Sequence, residues 1–320
     1  SEEDELYDMV SEYLRRDNLQ ALPSGQRKLM TLVLRKLLAS STFAIAGALD
    51  SLTNKLKAML KSNDRLITQY ADLGDDDDII GELRDEYGLN EDDELPIPLS
   101  QDDIDAIESE IADLGAFRDL ATSITQNAKG LSLLEALKAG FDKAESLGAM
   151  DKAIIFTESR RTQDYLVRLL EDNGYADKIV LFNGSNNDPK SREIYKEWVE
   201  HNKGTDRFSG SRTADMRSAI IDHFKNNAQI MIATEAAAEG VNLQFCSLLV
   251  NYDLPWNPQR IEQRIGRCHR YGQKHDVVVI NFLNKHNAAD QRVYELLSEK
   301  FHLFNGVFGA SDEVLGAIEG

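Results

Sequence analysis

The most informative stretch of the sequence is Gln263-Arg-Ile-Gly-Arg-Cys-His-Arg-Tyr-Gly-Gln273. Together with Arg260 upstream, it spaces four arginines at intervals of four, three and three residues. On a helix these positions share one face, and Ile261, Ile265 and Cys268 fall on a neighbouring face that we expect to be buried. A guanidinium is planar, always charged and able to donate two parallel hydrogen bonds. A row of them therefore suits phosphate.

Residues 152–283 around this stretch alternate strand signals with helix signals. We expect helices beginning at Ser159 and spanning about 189–201, 212–226 and 288–304. The predicted strands are continuous apolar runs: Ala153–Phe156, Lys178–Phe182, Gln229–Ala233, Ser247–Tyr252 and Val277–Phe282. Continuous apolar strands that alternate with helices indicate an α/β fold, with a parallel sheet covered by helices on both faces.

The first 150 residues differ, since they contain no convincing strand signal. Ser24 is expected to cap one helix, and Ser100 with Asp103 to cap another. We expect helices at about 50–70 and 100–127 to pack together as a protruding arm. The segment 72–95 is dominated by acidic residues and is predicted to be solvated. The sequence therefore predicts an all-helical acidic subdomain before the sheet.

The net charge of −19 does not exclude nucleic-acid binding, because the charge is unevenly distributed. Residues 1–150 hold 31 acids and 15 bases, whereas residues 151–320 hold 24 acids and 21 bases. The nearly neutral second half can still carry a basic stripe, and the acidic half should face away from DNA or contact a basic partner.

Other classes of protein are disfavoured by composition. No apolar run is long enough to span a membrane, and no signal-peptide pattern is present, so we expect a cytoplasmic protein. Cys246 and Cys268 are expected to be buried, reduced thiols, and we expect no metal site on this chain. The chain begins at Ser1 inside an acidic stretch, which we interpret as a piece of a larger protein.

The arginine-rich stretch resembles motif VI of superfamily-two helicases, and its final Gly-Gln is typical of the Swi/Snf branch. Other segments resemble neighbouring motifs in the right order: Lys152–Arg160 motif IV, Ala233–Gln244 motif V, and Asn251–Pro258 the signature between motifs V and VI. Glu239 stands where Swi/Snf enzymes often have Gly. This variant is similar to the bacterial branch that includes the RNA-polymerase-recycling ATPase.

The resemblance implies the C-terminal, second RecA-like lobe of such an ATPase, at residues 131–310. A helical subdomain would occupy residues 1–130 and a tail residues 311–320. The whole enzyme would use ATP with Mg²⁺ to move along double-stranded DNA. The phosphate loop and the acidic magnesium motif, absent from this sequence, would belong to a first lobe of the same protein. The fragment alone is therefore expected to be inactive.

The resemblance also implies roles for individual residues. Arg267 and Arg270 would be catalytic arginine fingers, while Gly240, Asn242, Gln263 and Arg264 would lie at ATP. The residues implied at DNA are Thr157, Ser159, Arg160, Asn183, Gly184, Ser185, Thr234 and Trp256. Helix capping alone would also account for Ser159, and Trp256 would alternatively be part of a packed lid over the sheet.

Three alternatives remain open from the sequence. The chain could belong to the RNA-unwinding branch of the same superfamily, although the stretches Trp256–Pro258 and Tyr271–Gln273 argue against it. A remodelling ATPase that associates with RNA polymerase would share the chemistry and differ in its partner. The third alternative is a catalytically silent module whose acidic arm binds a basic protein. Such a module would not need Arg267 and Arg270, so their presence argues against it.

Overall fold

A computed structural model describes residues 1–22, 25, 27–65, 79–80, 97–125, 127–269, 277–284, 292 and 314–315. The chain divides into two compact units. The helical unit comprises residues 1–127 together with the short segment 158–162, and the sheet unit comprises residues 128–157 and 163–320.

Among the described residues, the helical unit contains the helices α1 (Glu2–Arg15), α2 (Arg27–Ser40), α3 (Thr42–Ser62) and α4 (Gln101–Ser123). Helices α3 and α4 pack against each other along their lengths. The predicted cap of α4 is confirmed, since the Ser100 hydroxyl accepts from the Asp103 amide at 3.2 Å and the Ser100 amide donates to the Asp103 carboxylate at 2.9 Å.

Two features of this unit differ from the sequence-based expectation. Helix α3 begins at Thr42, well before the expected residue 50, because the Ser41 hydroxyl caps it by accepting from the Ala44 amide at 3.0 Å. One antiparallel pair of two-residue strands, β1 (Asp64–Arg65) and β2 (Ile97–Pro98), was not predicted. Ser24 and most of the acidic segment 72–95 lie outside the described residues.

The carboxylate of Glu110 is buried in the core of the helical unit. It accepts hydrogen bonds from the Tyr13 hydroxyl at 2.6 Å and from the amides of Gln20 and Ala21 at 2.7 and 3.0 Å. Burial, followed by the charge of Glu110, raises the pKa of Tyr13. These contacts fix the turn after α1 to α4.

The sheet unit alternates helices and strands as predicted. Its elements are α5 (Ala128–Ser146), β3 (Ala153–Phe156), α6 (Arg160–Leu170), β4 (Ile179–Phe182), α7 (Pro189–Asn202), α8 (Arg212–Asn226), β5 (Ile230–Ala233), α9 (Glu235–Ala238), β6 (Leu248–Asn251), α10 (Pro258–Cys268) and β7 (Val278–Phe282). The first residues of α6 belong to the segment that packs with the helical unit. The predicted helix at 288–304 lies outside the described residues, apart from residue 292.

The strands form a sheet in the order β4-β5-β3-β6-β7, all parallel, and a two-residue strand β8 (Val314–Leu315) pairs antiparallel to β7. Nearly every residue of the five parallel strands is buried. This confirms the predicted α/β fold with a RecA-like parallel sheet, preceded by helices. Buried residues on both faces of each strand explain why the runs read as continuously apolar.

The register of the sheet aligns the carboxyl ends of its central strands. Phe156 of β3 lies opposite Ala233 of β5 and Asn251 of β6, and Ala233 also lies opposite Phe182 of β4. Residues that directly follow these strands therefore meet at one edge, which we call the carboxyl edge. Ligands of open α/β sheets bind at this edge.

In the described part of the chain, no helix combines the length and apolarity that crossing a membrane requires. Cys246 and Cys268 are both buried and free, as predicted.

Candidate functional site

Helix α10 carries the arginine-rich stretch up to Cys268. Asn257 caps it by accepting from the Gln259 amide at 3.0 Å, and Pro258 occupies its first turn. Ile261 and Cys268 are buried, at 1% and 0% exposure, which confirms the predicted apolar side of the helix. Arg270, the second predicted arginine finger, lies outside the described residues.

Arg264 does not point away from the sheet as the row of arginines suggested. Its side chain is 1% exposed, and its Nε donates to Glu235 Oε2 at 2.5 Å. Its Nη1 donates to Asn251 Oδ1 at 2.8 Å and to the Asp253 carbonyl at 3.3 Å. The guanidinium also lies over the Phe156 ring, 4.5 Å from the centroid. Arg264 therefore joins α9, β6 and α10, and its direct contact with ATP stays a prediction.

Arg267 lies one turn further along α10 and is partly buried. Its Nη2 is 3.9 Å from Glu235 Oε1, so Glu235 faces both arginines. Burial lowers the pKa of Arg267, although the Glu235 carboxylate opposes this effect. Its Nη1 is buried and has no hydrogen-bond partner among the groups that the structure describes. A buried N–H without a hydrogen-bond partner is energetically costly, so an anionic ligand that accepts from it would fit here.

The loop after β5 presents a second unsatisfied group. Thr234 is 2% exposed, and within the described ranges its hydroxyl finds no hydrogen-bond partner. Gly240 has φ 73° and open space around it, so a side chain at this position would be strained rather than crowded. Asn242 is exposed, and its Oδ1 accepts from the Gln244 amide at 3.1 Å. These residues follow β5 at the carboxyl edge, as predicted.

Arg217 of α8 holds this loop in place, a role that the sequence did not reveal. Its Nη2 donates to the Ala237 carbonyl at 2.7 Å and also to the Glu239 carbonyl. On the other side, the Leu243 amide donates to the Arg267 carbonyl at 2.9 Å. The loop and the end of α10 are thus directly bonded. A single arginine on an amphipathic helix carries no local pattern that predicts such a bond.

Thr157 is fully buried at the end of β3. Its hydroxyl donates to Asp253 Oδ2 at 2.5 Å, and Lys129 Nζ donates to Asp253 Oδ1 at 3.0 Å. Lys129 also lies 4.2 Å from the centroid of the Tyr252 ring. In this arrangement the Thr157 hydroxyl is directed at the carboxylate after β6. Its contact with DNA phosphate stays a prediction, and sequence reasoning missed Lys129 and Asp253.

Ser159 and Arg160 lie at the start of α6. Ser159 is fully buried, and its hydroxyl accepts from the Thr162 amide at 3.3 Å, so it caps the helix. Helix capping was the alternative explanation for this serine. Arg160 is partly exposed at the first position of α6. Of this pair, Arg160 is the side chain able to reach a ligand in solvent.

The loop after β4 is shaped by Asn183, which is 8% exposed. Its Oδ1 accepts from the Asn186 amide at 2.8 Å and from the Ser185 hydroxyl at 3.2 Å, and its Nδ2 donates to Gln163 Oε1 at 3.3 Å. Gly184 and Ser185 are exposed at the tip of the turn. The asparagine therefore builds the loop, and its two neighbours present their backbone to solvent.

The predicted site residues thus separate into two groups. Trp256 is partly exposed, just before the cap of α10. Other accessible positions are Gly184, Ser185, Gly240, Asn242 and Gln263. The buried positions are Thr157, Ser159, Asn183, Thr234 and Arg264.

Comparison with known proteins shows what the sheet unit resembles. Residues 134–272 match the family described as "Helicase conserved C-terminal domain". The uncharacterized ATP-dependent helicase YqhH of Bacillus subtilis is 40% identical over 201 residues, which is 63% of this chain and 29% of that protein. The RNA polymerase-associated protein RapA of Serratia proteamaculans is 44% identical over 66 residues, or 21% of this chain and 7% of that protein.

Among solved structures, the C-terminal part of the Fun30 ATPase domain is 17% identical to this chain. The match covers 92% of this chain and 83% of that one, with a TM-score of 0.44. The family match and the sequence relatives confirm the predicted resemblance to the C-terminal lobe of superfamily-two ATPases of the Swi/Snf type. The chain spans less than a third of the length of these two relatives.

The buried pair of Glu235 and Arg264 predicts a measurable asymmetry in stability. Glu235→Leu leaves an uncompensated buried guanidinium and should lower the free energy of unfolding of the sheet unit by about 3–5 kcal/mol. Adding Arg264→Met should recover part of this loss, because the unpaired charge is then gone. Both tryptophans, Trp198 and Trp256, belong to the sheet unit, so urea denaturation followed by tryptophan fluorescence reports on it.

Glu239→Leu is the matched control, since Glu239 is an exposed acid in the same loop. It should change the free energy of unfolding by less than about 0.5 kcal/mol. A Glu235→Leu variant as stable as this control would contradict the structural role of the pair.

Proposed function

We propose that this chain, whose residues 134–272 match the helicase conserved C-terminal domain family, is the second motor lobe of an ATP-dependent translocase that moves along double-stranded DNA. The observation that carries the proposal is the partly buried guanidinium of Arg267, whose Nη1 meets no acceptor among the described residues. Such a group at the end of α10 suits a phosphate that arrives from outside the lobe.

Arg267 would act as an arginine finger. Fixed cationic donors stabilise the charge that develops on a phosphoryl group during its transfer, and they act mainly on the transition state. ATP with Mg²⁺ would supply the phosphoryl group to be transferred, held mainly by a first lobe of the same protein. Arg264 would position Arg267 from below, through their shared neighbour Glu235.

Gln263, Gly240 and Asn242 would complete the nucleotide side of the lobe. All three are exposed. The loop that carries Gly240 and Asn242 is bonded to the end of α10 through the Leu243 amide and the Arg267 carbonyl. A nucleotide that contacts the loop would therefore be sensed at Arg267 through one hydrogen bond. Arg270 is proposed as a second finger from its place in the motif alone.

DNA would contact the carboxyl edge through its phosphates. Arg160, Gly184 and Ser185 are accessible groups there. The Thr234 hydroxyl, which has no hydrogen-bond partner among the described residues, is a further candidate. Thr157, Ser159 and Asn183 would shape this surface from beneath, and Trp256 would lie beside it. Phosphate contacts carry no base information, so binding should be insensitive to sequence and sensitive to salt.

A second candidate function differs only in the partner. The similarity to proteins named RNA polymerase-associated protein RapA favours a remodelling ATPase that works on DNA-bound RNA polymerase. The same lobe chemistry would serve both functions. The third possibility, a silent protein-binding module, would make Arg267 dispensable, and the next experiment separates it from both motor functions.

In the full-length protein, Arg267→Ala should lower DNA-stimulated ATP turnover by about 10³–10⁵-fold, because an arginine finger acts on the transition state. The dissociation constant for ATP should change by no more than about threefold, because the finger stabilises the transition state and contributes little to the binding of ATP itself. Turnover is measured by steady-state phosphate release and ATP affinity by equilibrium titration. Arg168→Ala, an exposed arginine near the end of α6, is the control. Near-normal turnover in Arg267→Ala would show that α10 is only structural.

Arg160→Glu should weaken duplex binding by the full-length protein and reduce its dependence on salt, with the slope of log K against log salt falling by about one. Arg168→Glu makes the same charge change eight residues further along α6, about 12 Å away, and should leave binding unchanged. The measurement is a salt titration of duplex binding for the wild type and both variants. Equal curves for Arg160→Glu and the wild type would place DNA elsewhere on the lobe.

A further inference from the structure

The segment Glu158–Thr162 belongs to the sheet unit by sequence but packs with the helical unit. It directly follows Thr157 and contains Arg160, the accessible cation at the start of α6. The contacts that residues of α2 and α3 make with this segment therefore bear on where Arg160 is held.

One contact is a buried ion pair. Lys36 Nζ of α2 lies 2.6 Å from Glu158 Oε1, and their side chains are 6% and 7% exposed. Two charges taken out of water gain little net stability, because their desolvation offsets their attraction. Their geometry is nevertheless strictly specified, since either charge left alone in this place would be costly. The pair thus fixes the backbone on the N-terminal side of Arg160.

The other contacts hold the C-terminal side of Arg160. The Thr162 hydroxyl is within hydrogen-bond distance of the Ser40 and Ser41 hydroxyls, at 2.7 and 2.8 Å. Arg161 runs so close to α3 that a Cβ on Gly47 would lie 2.2 Å from its Nε. A side chain at position 47 would therefore require the Arg161 side chain to move.

We infer that Lys36 is a positioning residue for the contact between Arg160 and a DNA phosphate. It acts through Glu158, which fixes the direction of the Arg160 side chain. The inference rests on the proposed function, because it takes Arg160 to contact a phosphate. Contacts to residues 158 and 162 bracket Arg160 on both sides, so its Cα–Cβ direction is set by groups of the helical unit. A phosphate contact depends on such placement, since a side chain held in the wrong direction must reorganise before it binds.

The test uses the full-length protein and measures DNA-stimulated ATP turnover as a function of duplex concentration. Lys36→Met and Glu158→Gln should each raise the half-stimulating DNA concentration by roughly 3- to 30-fold, the usual size of an indirect effect on a site. Turnover at saturating DNA should fall by less than about twofold, because the reacting groups are untouched. The double variant should be no worse than either single variant, because both act through one contact.

Lys28→Met is the matched control, an exposed lysine on the same helix, and it should leave the DNA dependence unchanged. Ser40→Ala removes one hydroxyl contact without leaving a buried charge. It should raise the half-stimulating concentration by a smaller factor, and it replaces the charge variants if thermal unfolding shows that they do not fold. Variants at Lys36, Glu158 and Ser40 that all match Lys28→Met would overturn the inference, as would a loss of turnover at saturating DNA with an unchanged half-stimulating concentration.

Arg160→Glu distinguishes failure of the inference from failure of the proposed function. If Arg160→Glu raises the half-stimulating DNA concentration and the Lys36 and Glu158 variants do not, Arg160 contacts DNA and Lys36 does not position it. If Arg160→Glu has no effect, the assignment of DNA to this edge fails, and the inference fails with it.

Discussion

The buried contact between Arg264 and Glu235 is the interaction on which the functional arrangement depends. Glu235 opens the short helix after β5, Arg264 lies in α10, and the same guanidinium bonds Asn251 and the Asp253 carbonyl after β6. One side chain thus ties together the loops that follow two strands and the helix that carries Arg267. Burial makes this contact necessary, because a guanidinium in a low-dielectric interior is costly unless its N–H groups meet acceptors. Arg267 Nη2 lies 3.9 Å from Glu235 Oε1, and its Nη1 has no hydrogen-bond partner among the described residues.

The parallel sheet was predictable from sequence, because strands that are buried on both faces have continuous apolar sequences such as Ala153–Phe156. The carboxyl edge followed from the positions of those runs, and the buried side of α10 followed from Ile261 and Cys268. The inward direction of Arg264 could also have been inferred, since it lies three residues after Ile261 and four before Cys268, where the arginine face borders the apolar face. The motif instead favoured treating all the arginines as ligands. Contacts between distant parts of the chain, such as Arg217 with the loop after β5, have no local pattern and required the structure.

Burial also explains why the motif residues divide as they do. Serine, threonine and asparagine at strand ends are small enough to bond backbone or neighbouring polar groups, and Ser159 and Asn183 use their side chains in this way. Thr157 likewise bonds Asp253, which Lys129 bonds from α5. These side chains are bonded within the edge, whereas Arg160, Gly184 and Ser185 remain accessible on it. The predicted site residues thus include both buried supporting positions and accessible ones, and sequence similarity alone does not separate the two.

Hydrogen–deuterium exchange of the 320-residue chain, compared between the wild type and Glu235→Gln, tests the central claim most directly. Loss of the carboxylate charge should weaken the contacts through which Arg264 joins α9, β6 and α10. The account predicts faster exchange of amides in both residues 235–243 and helix α10, with β4 unchanged as the internal control, because local opening is limited to the elements that share the contact. Faster exchange in residues 235–238 alone, with α10 as protected as in the wild type, would contradict the account.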